Sequence, residues 1–214
     1  MRVAAVIPAL NEEATIGDVV STLRHVDIVE EVIVVSDGST DHTADLARSA
    51  GARVIEHKEN MGKAAAMKTG FDATGAPVVL FMDADLIGLT PTHVMSLLAP
   101  LLSNGADMTV GVFEDGRGMT DLAQLVAPYL SGQRAVRRDV VTEMFREDPE
   151  AIDCRFGIEV ALTRHVNQKG YRKAEVSLGE LSHRMKEEKL GPIKGAAARL
   201  KMYYEILKYA ATKG

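Results

Sequence analysis

The sequence has little of several residue types, and each shortage narrows its class. It contains one cysteine and no tryptophan among 214 residues. The lone Cys154 excludes an intramolecular disulfide framework and suits a reducing compartment. No apolar run is as long as a membrane-spanning helix, which needs about 20 residues. The apolar run at the start of the chain ends at Pro8, and no signal-peptide cleavage site follows it, so a signal peptide is not expected. We therefore expect a soluble, cytoplasmic protein with one domain and at most one appended element.

The charge of the chain is unevenly distributed. Its net charge is −5, yet the segment from Arg184 to the end holds eight Lys or Arg and only three Glu. The rest of the chain is therefore acidic and lacks the basic face that nucleic-acid binding needs. The basic tail predicts a solvated helix face, while contact with an anionic acceptor or with the inner face of a membrane stays open.

Strands and helices alternate through the first 85 residues. Short apolar, mostly β-branched runs at 3–7, 32–35, 53–55 and 77–82 predict strands, and helical apolar spacing lies between them. This alternation predicts an α/β fold with a parallel sheet and helices on its faces. Right-handed crossovers then place the carboxyl ends of these strands at one edge of the sheet.

The second half is less regular. A Gly-containing segment, Glu114–Thr120, predicts an exposed loop, and an amphipathic helix is predicted from Pro192. We expect residues 1–183 to form the α/β domain and residues 184–214 to form a basic C-terminal extension. The apolar stripe of the extension is expected to pack on its own domain or across a homodimer.

Three polar clusters follow predicted strands at the edge where open parallel sheets bind ligands. They are Asn11-Glu12, Asp37 and Asp83-Ala84-Asp85. Each alone is also typical of a turn, but three at one edge indicate a site. The two acids after a fully apolar strand would repel each other without a cation, and their oxygens suit Mg²⁺ or Mn²⁺. Gly62-Lys63 at a predicted helix start suits an anion, although it is not a Walker A loop.

Four motifs stand in order along the first half: Val6–Glu13, Val34–Asp41, Asn60–Lys63 and Met82–Asp85. Together they resemble a family 2-type glycosyltransferase of the GT-A fold, a Rossmann-like and mostly parallel sheet flanked by helices. The resemblance implies a nucleotide-sugar half at about 1–115 and an acceptor half at about 116–183.

The resemblance also implies a role for each motif. The loop after the first strand and Asp37 would hold the nucleoside, with Asp37 reading the base. Lys63 would lie near the base or the diphosphate, and Asp85 would ligate the metal and take part in catalysis. The residues that the resemblance assigns to the nucleotide sugar are Pro8, Ala9, Leu10, Asn11, Glu12, Asp37, Gly62, Lys63, Asp83 and Ala84.

Motifs of the second half narrow the resemblance. Ser131–Ala135, Phe156–Glu159 and Ser182–Arg184 are similar to the acceptor-side motifs of glucosyl-3-phosphoglycerate synthases and their small bacterial relatives. By this resemblance, Glu159 is the catalytic carboxylate near the reacting sugar and His183 is a second metal ligand. The acceptor-side residues that it implies are Gly132, Gln133 and Arg134.

The sequence therefore predicts a metal-dependent glycosyltransferase, with Mg²⁺ or Mn²⁺ as cofactor. It would move one sugar from a UDP- or GDP-sugar to a small phosphorylated or lipid-linked acceptor. Two alternatives stay open, a sugar-1-phosphate nucleotidyltransferase and a non-catalytic nucleotide-sugar-binding protein. The nucleotidyltransferase would carry a Gly-rich loop with a basic residue after the first strand, where this chain has Pro8-Ala9-Leu10-Asn11.

Overall fold

The computed structural model describes residues 2–113, 131–152, 158–179 and 181–183. The strands in these ranges are β1 Val3–Ala9, β2 Val29–Asp37, β3 Arg53–His57, β4 Val78–Phe81, β5 Leu86–Ile87, β6 Met108–Val112, β7 Arg134–Arg137, β8 Lys173–Ser177 and β9 Ser182–His183. The α-helices are α1 Ile16–Arg24, α2 Thr43–Ser49, α3 Lys63–Asp72, α4 Pro91–Leu102, α5 Arg138–Glu147 and α6 Ile158–Lys169.

Seven strands form one sheet in the order β3-β2-β1-β4-β7-β6-β8. β1 pairs in parallel with β2 and β4, and β2 pairs in parallel with β3. β8 is parallel to β6, whereas β7 runs antiparallel to both β4 and β6. The sheet is thus mostly parallel, as the alternation of elements predicted.

The antiparallel direction of β7 was not predicted, and it shapes the carboxyl edge of the sheet. Phe81 at the end of β4 pairs with Arg134 at the start of β7. An antiparallel neighbour brings the start of one strand beside the end of the other. Residues 131–133 therefore lie beside the acidic segment that follows β4.

Both faces of the sheet are covered, so β1 and β4 are buried almost throughout. One face packs against α1 and α4, and the other packs against α3, α5 and α6. Helix α1 lies where helical apolar spacing was predicted between the first two strands, and it buries Ile16, Val19, Val20 and Leu23. Each such side chain contributes about 1.5–3 kcal/mol on burial, so the edge that carries the polar clusters stands on a well-packed base.

Two local features differ from the predictions. β1 continues through Pro8 to Ala9, and its last pair with β4 is Val6 with Phe81. The missing N–H of Pro8 therefore falls beyond the β1–β4 ladder. The second feature is a two-stranded sheet of β5 and β9, which is too short to show any periodicity in the sequence.

No α-helix in the described part of the chain is long and apolar enough to cross a membrane. The predicted loop Glu114–Thr120, Cys154 and the predicted helix from Pro192 lie outside the described residues.

Candidate active site

The loops that follow β1 and β2 are joined to each other at the carboxyl edge of the sheet. Asn11 has a φ of 55°, its N–H donates to Ser39 Oγ at 3.1 Å, and its Oδ1 accepts from the Thr40 N–H at 2.9 Å. The Glu12 N–H donates to Thr43 Oγ1 at 2.8 Å. The first two predicted polar clusters therefore form one framework.

The acidic segment after β4 is attached to the same framework. Thr15 Oγ1 donates to the carbonyl oxygen of Ala84 at 2.8 Å, and this contact is buried. All three polar clusters thus meet at one edge, as predicted. Pro8 is half-buried, Ala9 is buried and Leu10 is exposed, so of these three residues Leu10 offers the most surface to a ligand.

Asp37 is a buried carboxylate that holds the next loop in place. Its oxygens accept from the N–H groups of Met61 and Gly62 at 2.9 and 2.8 Å. The ring of His57 lies against the same carboxylate, with Nδ1 at 2.7 Å from Oδ1 and Nε2 at 3.0 Å from Thr69 Oγ1. The sequence predicted a base-reading role for Asp37 and gave no sign of His57. The structure shows that Asp37 positions the loop that leads into Lys63.

Lys63 links the two halves of the chain. Its Nζ lies 2.6 Å from Asp83 Oδ1 and 2.6 Å from Glu159 Oε1. Burial alone would lower the pKa of Lys63, but the two carboxylates outweigh it and hold the pKa above its ordinary value. Lys63 is therefore a permanent cation between a carboxylate of the β4 edge and one at the start of α6. The sequence predicted that Lys63 lies near the base or the diphosphate, but it did not predict the ion pairs with Asp83 and Glu159.

Asp83 is held from a second side by the segment before β7. Gln133 Nε2 donates to Asp83 Oδ2 at 2.8 Å, and Ser131 Oγ donates to Gln133 Oε1 at 3.1 Å. The backbone of Gly132 passes so close that a Cβ there would lie 2.4 Å from both carboxylate oxygens of Asp83. Glycine is required at this position by the close approach.

Arg134 is fully buried behind this cluster. Its Nε donates to the Ser131 carbonyl oxygen at 2.7 Å, and its Nη1 donates to Thr163 Oγ1 at 2.6 Å. Thr163 in turn donates to the carbonyl oxygen of Glu159 at 2.9 Å. Burial lowers the pKa of Arg134 to about 10, against the attraction of Glu159 and Asp83, so the guanidinium stays charged at neutral pH.

The structure shows the surroundings of two residues that the sequence assigned to the acceptor side. Gln133 and Arg134 are both fully buried. They support Asp83 and Glu159 from inside the protein, because the antiparallel β7 turns them toward the neighbouring elements. Glu159 itself is only 4% exposed in its side chain, which places it at the inner wall of the site.

The pairing of β5 with β9 brings the backbones of the two predicted metal ligands, Asp85 and His183, close together. β5 begins one residue after Asp85, and its Leu86 pairs with His183 of β9. Asp85 is half-buried, and both oxygens of Asp83 are already engaged by Lys63 and Gln133. A carboxylate and an imidazole are donors that Mn²⁺ accepts, and Mg²⁺ needs few protein ligands beyond carboxylate oxygens. The residues present therefore fit a divalent cation at Asp85.

Comparison with known proteins gives one family. Residues 4–169 match Glycosyl transferase family 2. The glucosyl-3-phosphoglycerate synthase of Mycolicibacterium smegmatis is 36% identical over 152 residues, which is 62% of this chain and 50% of that protein. The dolichyl-phosphate hexose transferase of Haloferax volcanii is 28% identical over 213 residues, or 91% of this chain and 89% of that protein.

A solved structure is similar over nearly the whole chain. It is the crystal structure of glucosyl-3-phosphoglycerate synthase from Mycobacterium tuberculosis in complex with Mn²⁺, uridine diphosphate and phosphoglyceric acid. The TM-score is 0.75 at 31% identity, covering 96% of this chain and 76% of that chain. The predicted GT-A fold is thereby confirmed. The chain nevertheless spans only about half the length of the M. smegmatis synthase.

Proposed function

Since the chain belongs to glycosyl transferase family 2, we propose that it transfers one sugar from a nucleotide-diphosphate sugar to a small phosphorylated acceptor. The proposal includes a divalent cation, Mg²⁺ or Mn²⁺, and a donor of the UDP- or GDP-sugar class. Family membership favours this reaction over the nucleotidyltransferase and over a protein that only binds nucleotide sugars.

The bridge that Lys63 makes between Asp83 and Glu159 carries the proposal. It fixes the second carboxylate beside the edge of the sheet where a nucleotide would bind, with 2.6 Å contacts on both sides. A glycosyl transfer needs a carboxylate held in a fixed position near the reacting carbon. It also needs positive charge that stabilises the negative charge on the leaving diphosphate. The cluster offers both kinds of charge within one small region.

On the donor side, the loop after β1 and the loop after Asp37 would hold the nucleoside. Leu10 and Met61 are exposed apolar side chains of these two loops, 40% and 56% accessible. We expect them to pack against the base, and we expect Asp37 to keep Met61 and Gly62 in place for that contact.

On the reaction side, Asp85 and His183 would hold the divalent cation. When bound, the cation would stabilise the negative charge that develops on the departing diphosphate. Glu159 has one oxygen engaged by Lys63, so we assign it to orienting the sugar and to stabilising positive charge at the reacting carbon. Lys63 keeps this carboxylate at its position and compensates its charge.

For the acceptor, a phosphoglycerate is the first candidate, because the M. tuberculosis structure contains phosphoglyceric acid. A lipid-linked phosphate is the second candidate, because this chain covers 89% of the Haloferax transferase but half of the M. smegmatis synthase. Both acceptors present a phosphate, and they differ in the apolar part that follows it.

The test is a transfer assay with the purified chain, Mn²⁺ and UDP-glucose or GDP-glucose. The acceptor arms are 3-phosphoglycerate, a dolichyl phosphate in detergent, and no acceptor, with nucleotide release and product mass as readouts. We expect release to depend on 3-phosphoglycerate. Binding of the donor without release in any arm would contradict the transferase. In a further arm with added pyrophosphate, formation of a nucleoside triphosphate and sugar 1-phosphate would support the nucleotidyltransferase.

A pair of variants makes the assay specific for the site. Glu159→Gln removes the charge of the buried carboxylate, and Glu175→Gln makes the same change on the exposed side of β8, where Glu175 pairs with Lys173 at 3.0 Å. We expect Glu159→Gln to lose activity and Glu175→Gln to retain it. Equal activity of the two variants would remove Glu159 from the proposed site.

Four further predictions belong to this proposal. The donor half at about 1–115 and the acceptor half at about 116–183 would meet at the Lys63 bridge. Residues 184–214, which lie outside the described part of the chain, would form a basic extension whose charged side chains are solvated or contact an anionic acceptor or the inner face of a membrane. The apolar stripe of that extension would pack on its own domain or across a homodimer, and the protein would be cytoplasmic.

A further inference from the structure

A second cluster of chemistry-bearing side chains lies on α5 and α6. Glu143 and Glu147 are four residues apart on α5 and therefore share one face of that helix. His165 of α6 faces them. One carboxylate oxygen from each Glu and one ring nitrogen of His165 all lie within 4.8 Å of one another. This set uses no residue of the candidate active site.

His165 makes this cluster more than a pair of surface acids. It is 7% exposed, and its Nε2 is buried without a hydrogen-bond partner in the part of the chain that the structure describes. Nε2 lies 3.6 Å from Glu143 Oε2, and Nδ1 lies 3.8 Å from Glu147 Oε2. Both distances are too long for hydrogen bonds. A buried ring nitrogen without a partner is unfavourable, so a ligand that binds Nε2 would stabilise this arrangement.

We propose that Glu143, Glu147 and His165 form a binding site for a transition-metal ion of the Zn²⁺ class. Ligand atoms about 2.1 Å from a tetrahedral Zn²⁺ are about 3.4 Å from one another. The separation of 3.6 Å between His165 Nε2 and Glu143 Oε2 has this value within a few tenths of an ångström. Imidazole with two carboxylates is a donor set that Zn²⁺ accepts, with water as the fourth ligand.

Two neighbours fit a cation at this position. Lys169 Nζ lies 2.6 Å from Glu147 Oε1 and 3.4 Å from Glu143 Oε1, so a positive charge already stands beside both carboxylates. Its side chain is 38% exposed and can leave toward solvent when a metal ion takes its place. Tyr171 donates to Glu143 Oε2 at 2.5 Å, which fixes the orientation of that carboxylate.

The proposed site is separate from the candidate active site but shares a helix with it. His165 follows Glu159 by six residues on α6, about 9 Å along the helix axis at 1.5 Å per residue. A metal ion that joins α5 to α6 would therefore stabilise the helix that carries Glu159 without touching the reacting groups.

The test measures Zn²⁺ bound per chain by equilibrium dialysis and metal analysis, on the full chain after EDTA treatment and in excess Mg²⁺. A Cys154→Ser background removes the one thiol. We expect His165→Asn and Glu147→Gln each to bind one Zn²⁺ fewer than this background, or to bind it about 10–100-fold more weakly. Lys169→Met should bind the ion more tightly, because it removes the competing ammonium.

The controls keep the result decisive. Glu147 is 38% exposed in its side chain, so Glu147→Gln should fold normally even if the buried His165 variant does not. Glu175→Gln removes an exposed glutamate that also pairs with a lysine, and it should bind Zn²⁺ like the background. Equal Zn²⁺ binding by the background, Glu147→Gln and Lys169→Met would overturn the proposal, and the cluster would then be an ion-pair network only.

Discussion

Replacing Gly132 with alanine tests the core of the proposed site. The added methyl carbon would lie 2.4 Å from both oxygens of Asp83 and 2.6 Å from its carboxyl carbon. Because the new methyl carbon would overlap with both oxygens and the carboxyl carbon of Asp83, rotating the carboxylate cannot relieve the overlap. Asp83 would have to retreat by about 1 Å to reach ordinary van der Waals contact.

This displacement breaks the contacts of Asp83 with Lys63 and Gln133. The 2.6 Å contact with Lys63 and the 2.8 Å hydrogen bond from Gln133 would each exceed hydrogen-bond distance. Hydrogen bonds to a charged group contribute about 1.5–3 kcal/mol each, and water reaches Lys63, whose side chain is 26% exposed. We therefore expect the free energy of unfolding to fall by about 2–4 kcal/mol. A misplacement of about 1 Å at a reacting site costs on the order of 100-fold in rate, and we expect that loss in kcat/KM.

The assay pairs urea unfolding, followed by far-UV circular dichroism, with nucleotide release from UDP-glucose. The matched control is Gly17→Ala, where nothing lies within 4 Å of the new Cβ. Gly17 is in α1, so its replacement should stabilise the protein by about 0.5–1 kcal/mol and leave activity unchanged. If Gly132→Ala were as stable and as active as Gly17→Ala, the close approach to Asp83 would not exist and the reasoning would be wrong.

Three other perturbations address the metal, the donor loop and the acid stability of the fold. Asp85→Ala and treatment with EDTA should each abolish sugar transfer while the circular dichroism spectrum stays unchanged; an unaltered rate in EDTA would contradict the metal role. Asp37→Ala should weaken UDP binding in calorimetry by roughly 10- to 150-fold, the equivalent of about 1.5–3 kcal/mol for one charged hydrogen-bond partner, and an unchanged Kd would refute it. The Arg172 guanidinium, which donates to both oxygens of Asp107, outweighs burial and lowers the pKa of that carboxyl to about 2. Its stabilisation of about 1–2 kcal/mol is therefore complete only above about pH 5, where the unfolded carboxyl is also ionised, and it is lost as the pH falls through 4 toward 2. Urea unfolding of wild type and Asp107→Asn should converge over that range.

The sequence was informative where the residues of a single strand or helix determine its structure by their own pattern. The apolar run at 77–82 predicted a strand directly before Asp83, and β4 is a fully buried strand at that place. Parallel strands share one carboxyl edge whatever their order, so the meeting of the three polar clusters also followed from local pattern.

The sequence was uninformative where distant segments meet. The direction of β7 depends on where the chain re-enters the sheet, and no local pattern records it. The resemblance assigned Gln133 and Arg134 to the acceptor side, and side chains of these types are usually exposed. Both are instead buried, and their partners come from other parts of the chain. The same limit hid the pairing of Lys63 with Glu159.

These distant pairings imply that donor binding and sugar transfer are coupled. Asp37 holds the N–H of Gly62, the next residue along is Lys63, and Lys63 holds Glu159. A side chain that fixes the loop beneath the proposed base site therefore also fixes the start of α3, from which the lysine reaches the reacting carboxylate. If Asp37 only bound the base, its loss would raise KM and leave kcat unchanged. Because the loop leads directly into Lys63, the loss of Asp37 should lower kcat as well, and a change confined to KM would separate the two functions.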